Sequence, residues 1–108
     1  MHALDLLQPS RISVANEAAS KKRVLEEAAN LLAATAEEPT PEQIFERLLE
    51  RERLGSTGLA GGVALPHARM PGLDTVRGAF LRLAQAVDFD AMDGQPVDLI
   101  FALLVPQE

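Results

Sequence analysis

The sequence predicts an α/β domain: a mixed sheet of about four strands with helices packed on it. Three observations predict it. Two stretches, 20–36 and 40–54, carry apolar residues at helical spacing. Four others, 11–14, 63–65, 76–84 and 97–105, are short, apolar or β-branched, and set off by Gly, Pro or Asp turn signals. The last of these is almost continuously apolar, the pattern of a central strand covered on both faces. A length of 108 residues makes this one domain with a modest core, spanning 1–108.

In chain order, Leu4, Leu6 and Leu7, ended by Pro9, predict a short apolar turn or helix. Arg11 to Val14 is the first strand. In the first long helix Val24, Leu25, Ala28, Leu31 and Leu32 form one stripe, with Ser20 as N-cap and Glu37-Glu38-Pro39 ending it. Lys21, Lys22 and Arg23 oppose the helix dipole there and are read as a solvated face. Thr40-Pro41-Glu42-Gln43 supplies an N-cap, a proline at N1 and a capping-box glutamine. The second helix turns Ile44, Phe45, Leu48 and Leu49 inward and stops at Gly55, read as a C-terminal glycine. Its Arg47, Arg51 and Glu52 read, on pattern alone, as surface charge. Val63 to Leu65 is the second strand, Val76 to Ala84 the third, and Pro96 opens the last.

Composition excludes several function classes. There is no cysteine, so disulfides and thiolate metal sites are ruled out. His2 and His67 are the two histidines, far apart in sequence, and no metal site is predicted. Net charge is −6 with basic residues dispersed, which argues against nucleic acid as partner. No apolar run is long enough to span a bilayer and no signal-peptide pattern opens the chain, so the expected compartment is the cytoplasm.

The chemistry concentrates in residues 55–69, with Gly55, Gly58, Gly61, Gly62, the hydroxyls of Ser56 and Thr57, and Pro66-His67-Ala68-Arg69. The glycines predict a shaped loop that can approach a ligand closely. Pro66 stiffens the approach to His67. Imidazole, with a reference pKa of about 6.5, is a good nucleophile toward phosphorus when one ring nitrogen holds the hydrogen and the other attacks. A transferring phosphoryl group needs positioning and charge stabilisation. Loop N–H groups, Ser56, Thr57 and Arg69 are the predicted donors. The bland alternatives are a structural histidine and hydroxyls that only make turns, the better reading for Ser56. Nucleotide-binding glycine motifs and the G-x-S-x-G elbow are absent.

Arg51-Glu52-Arg53-Leu54-Gly55-Ser56-Thr57-Gly58 followed by Pro66-His67-Ala68-Arg69 resembles the active-site region of enzyme IIA domains. These are the fructose/mannitol and nitrogen-regulatory type of the bacterial phosphoenolpyruvate-dependent phosphotransferase system. Residues 20–26 and 89–106 match as well, and the likeness is nearest to the nitrogen-regulatory branch. The resemblance implies that His67 accepts a phosphoryl group from a histidine phosphocarrier protein and relays it or signals by it to regulated proteins. It implies Arg51 and Thr57 as catalytic neighbours, with Ser56, Gly58 and Arg69 around the phosphate, and no cofactor. It also implies further helices after the last strand and a second histidine there, so the C-terminal helical layer is expected to be missing from this chain. The apolar face so left is expected to be open or covered by a second copy in a homodimer. Two alternatives are a sugar-specific enzyme IIA and a binding module without turnover.

Overall fold

The computed structural model describes residues 7–107. His2 and the apolar turn expected around Leu4 and Leu6 lie outside the described residues. A single 3₁₀ turn, Pro9–Arg11, leads into β1, Ile12–Asn16. Helices α1, Lys21–Ala33, and α2, Pro41–Leu54, follow. The chain then forms β2, Val63–Ala64, β3, His67–Met70, β4, Arg77–Val87, and β5, Val97–Pro106.

The sheet is mixed, as the sequence predicts. β1 runs parallel to β4, β4 antiparallel to β5, and both β2 and β3 parallel to β5. Five strands therefore occupy four rows, because β2 and β3 share one edge of β5. β2 pairs with Leu99 and Ile100, and β3 with Leu103 to Pro106. Pro66 separates them because it has no N–H for the ladder, while its carbonyl still accepts the Leu103 N–H at 2.9 Å. The expected strand over 63–65 is thus one half of an interrupted edge. His67–Met70 is a strand that the sequence reading passed over, although His and Arg alternate there with buried Ala68 and Met70.

The helices begin where their caps are. The Ser20 hydroxyl accepts the Arg23 N–H at 3.1 Å. Thr40 and Gln43 complete a reciprocal capping box, with bonds of 3.2 and 2.9 Å. α1 ends at Ala33, before the expected limit near 36, because Ala34 N–H closes a tight turn on the Leu31 carbonyl at 3.1 Å. Gly55 follows α2 with φ of 161°, an extended conformation, so it is not the left-handed cap expected of it.

Val24, Leu25, Ala28 and Leu32 of α1 and Ile44 and Leu48 of α2 are buried against Ala79, Leu81, Leu83, Ile100, Ala102 and Leu104. Each such Leu or Ile is worth about 1.5–3 kcal/mol over an exposed one. Leu31, Phe45 and Leu49 pack at the margin of this core. Arg11, assigned by sequence to the first strand, ends the 3₁₀ turn and is buried, with Nε donating to the Gly78 carbonyl at 2.8 Å. On the sheet face away from the helices Leu99, Phe101, Leu103 and Val105 are half-buried, while Ile12 and Val14 are exposed. The continuous apolar pattern of β5 thus reflects a central strand with one face under helices and an apolar second face.

Candidate phosphoryl site

The C-terminal half of α2 packs beside β3, and between them lies an open cleft of about 770 Å³. β3 contributes His67 and Arg69; α2 contributes Arg47, Arg51 and Arg53, with Glu50 the one carboxylate in the lining. Arg47 and Arg51 share a helix face by their i, i+4 spacing. Four guanidiniums against one carboxylate make the cleft cationic and suited to an anion. The imidazole is half-buried, and its Nδ1 lies 2.9 Å from the Leu65 carbonyl. A carbonyl only accepts, so Nδ1 carries a hydrogen, and in the neutral ring the lone pair is then on Nε2. Arg51 Nη1 donates to the Gly55 carbonyl at 2.9 Å, which pins the guanidinium at the mouth of the glycine loop.

The loop itself is held from behind. Glu52 is buried, its side chain only 4% exposed. One carboxylate oxygen accepts the Thr57 N–H at 2.9 Å and the other accepts the Thr57 hydroxyl at 2.6 Å. Lys21 Nζ reaches Glu52 at 2.9 Å and Asp90 at 3.2 Å, and stands 5.0 Å from the centre of the Phe89 ring. Burial pushes the Glu52 carboxyl up, but the Thr57 hydroxyl, Lys21 and the Thr57 N–H outweigh it and hold it below the ordinary range. Burial pulls Lys21 down and its bonds to Glu52 and Asp90 outweigh that too, leaving it raised. At the loop tip Asp93 accepts the N–H groups of Gln95 and Gly61, each at 3.0 Å, which lowers its carboxyl.

The structure brings His67, Arg51 and Arg69 together and leaves Ser56, Thr57 and Gly58 out of the cleft lining. The Ser56 hydroxyl donates to the Phe89 carbonyl at 2.6 Å and accepts the Gly58 N–H at 3.0 Å, the turn role favoured for it. Gly58 is needed for close approach to backbone: a Cβ there would stand 2.8 Å from the Ala91 Cα. Gly61 and Gly62 supply the left-handed turn, with φ of 79° and 82°. The N–H groups of Thr57, Gly58, Leu59 and Gly61 are all spent inside the protein, so the loop is not the open donor cradle that its glycines predicted. Glu52 and Lys21, read from sequence as surface charges, form an ion pair in which the carboxylate is buried and the lysine is partly exposed. Glu52 and Thr57 stand five positions apart, across a helix end and a loop, and no periodicity announces such a contact.

Residues 5–108 match the family model described as phosphoenolpyruvate-dependent sugar phosphotransferase system, EIIA 2. A nitrogen regulatory protein of Pseudomonas aeruginosa is 51% identical over 102 residues, covering 94% of this chain and 66% of its own length. One of Bradyrhizobium diazoefficiens is 46% identical over 110 residues, covering 99% of this chain and 69% of that relative. This chain thus spans about two thirds of the length of both. The crystal structure of nitrogen regulatory protein IIA-Ntr from Neisseria meningitidis superposes with a TM-score of 0.90 at 48% identity, over 96% of this chain and 70% of that one. Among the described residues, no helix is long and apolar enough to cross a membrane. With its mixed sheet, its Pro-His strand start and its arginine-lined cleft, the chain belongs to the EIIA 2 family of the phosphoenolpyruvate-dependent phosphotransferase system.

Proposed function

We propose that this chain is a regulatory phosphotransferase component in which His67 accepts a phosphoryl group from a histidine phosphocarrier protein. The observation that carries the reading is the imidazole itself: Nδ1 lies 2.9 Å from the Leu65 carbonyl, and the ring lines a cationic cleft. The Nε2 lone pair attacks phosphorus, the phosphorus–nitrogen bond of the donor breaks, and the donor imidazole leaves with that electron pair. His67 keeps its Nδ1 hydrogen throughout. Arg51 and Arg69 meet the charge on the phosphoryl oxygens, where forked donors are most effective. Ser56, Thr57 and Gly58 serve the site by shaping the loop. No metal or organic cofactor takes part, and cytoplasmic regulated proteins downstream read the phosphorylation state. Similarity to the nitrogen regulatory proteins supports regulation over sugar transport.

The test is intact-mass spectrometry after incubation with phosphoenolpyruvate, enzyme I and the phosphocarrier. One acid-labile phosphoryl addition is expected on the wild type and none on His67→Ala. Folded wild-type protein that gains no mass would refute the proposal.

A further inference from the structure

A carboxylate buried to the extent of Glu52 is expensive to keep charged, and for stability alone an apolar side chain would often serve as well. Its contacts show what the charge is used for. Glu52 takes both polar hydrogens of Thr57, at 2.9 and 2.6 Å. The Thr57 carbonyl accepts the Leu65 N–H at 3.0 Å. The Leu65 carbonyl in turn faces His67 Nδ1 at 2.9 Å. These bonds run without a break from the first turn of α1, through the last turn of α2 and the loop, to the imidazole. Every buried polar side-chain atom among the described residues has a hydrogen-bond partner.

We propose that Glu52, held by Lys21, is a positioning residue for His67. It keeps the Leu65 carbonyl on Nδ1 and so holds the ring in the tautomer that leaves Nε2 free. Glu52 touches neither the imidazole nor the cleft; it acts through Thr57 and Leu65. The consequence for phosphoryl transfer rests on the function proposed above, whereas the consequence for the ring does not.

The experiment is a long-range ¹H–¹⁵N correlation spectrum of the His67 ring, recorded at a pH where the ring is neutral. It compares wild type, Glu52→Gln, Lys21→Met and Thr57→Val, with Lys22→Met as the exposed control. Initial phosphorylation rates are measured on the same samples against phosphocarrier concentration. The wild type and the control are expected to show Nδ1–H alone. The other three are expected to show a mixture of tautomers and a rate constant lower by about tenfold at unchanged KM, short of the ~100-fold that a 1 Å misplacement costs. General destabilisation would leave the ring tautomer of the folded molecules unmoved. If Glu52→Gln fails to fold, Lys21→Met and Thr57→Val, which retain the carboxylate, decide the matter. Folded variants with the wild-type ring spectrum and rate would overturn the proposal. Should the wild type accept no phosphoryl group at all, the proposed function falls and the ring spectrum alone still decides this inference.

Discussion

Arg51 and Glu52 are neighbours in the last turns of α2 and live in opposite surroundings. Arg51 is half-exposed, makes one bond to the Gly55 carbonyl and faces an open cleft. Glu52 is buried, engaged on both oxygens and shielded by Lys21. One residue is free to meet something that arrives; the other is saturated by the protein that surrounds it. The difference teaches how the domain separates binding from scaffolding within a single peptide unit: successive residues on a helix point about 100° apart. One faces the cleft and the other faces the loop.

Substitution should separate the two roles most sharply. Glu52→Ala removes the acceptor of two buried Thr57 donors and one partner of Lys21, and is expected to cost about 2–3 kcal/mol. Arg51→Ala is expected to change stability by less than about 0.5 kcal/mol while slowing phosphorylation on the order of a hundredfold. Denaturant unfolding curves and phosphorylation time courses on both variants check this. Equal stability losses would show that Arg51 is as structural as Glu52 and would erase the contrast.

Much of the fold was legible because it rests on local signals. The capping box of Thr40 and Gln43, the Ser20 cap and the stripe from Val24 to Leu32 declare themselves through spacings of three or four residues. β5 was legible for a different reason: a central strand needs apolar residues on both faces, and 97–105 supplies them. β3 is masked in the sequence because Pro66 interrupts its edge, although His67, Ala68, Arg69 and Met70 alternate in burial. In the site, His67 and Arg69 read as a phosphate site from their own chemistry and Arg51 only through the family resemblance, and the cleft brings the three together. The Lys21–Glu52–Thr57 arrangement was not legible. It joins two helix termini and a loop, and its charged members look in sequence like any others on a helix surface.

The Lys21–Glu52 pair also sets a pH signature for stability. Glu52 is held below its ordinary range in the folded state, so its contribution to stability is present above the unfolded value, about 4.3. It is lost as pH falls through the depressed folded value. Lys21 is raised, so its contribution is present below the ordinary amine value and fades only as pH climbs through the raised one. Between those limits the pair is fully charged. The stability gap between wild type and Glu52→Gln, measured by urea unfolding, is expected to be constant from about pH 6 to 8 and to shrink below about pH 4. A gap that grew on acidification would contradict the assigned direction of the Glu52 shift.

The smallest effect sharpens the comparison furthest, because it changes burial and little else. Lys21 has two carboxylate partners at similar distances: Glu52 at 2.9 Å, 4% exposed, and Asp90 at 3.2 Å, 74% exposed. Distance alone would make them nearly equal. Solvent screening makes them unequal, since an exposed pair is worth little and a buried one loses its charge partner without compensation from water. Asp90 also takes a left-handed backbone with φ of 54°, which asparagine tolerates as well as aspartate does. Asp90→Asn therefore removes the charge without adding backbone strain, and is expected to alter stability by less than about 0.5 kcal/mol. The same urea titration reads it beside Glu52→Gln. If Asp90→Asn proved as costly as Glu52→Gln, the lysine would be held by its exposed partner. The buried carboxylate could then no longer be the group that keeps the loop in place.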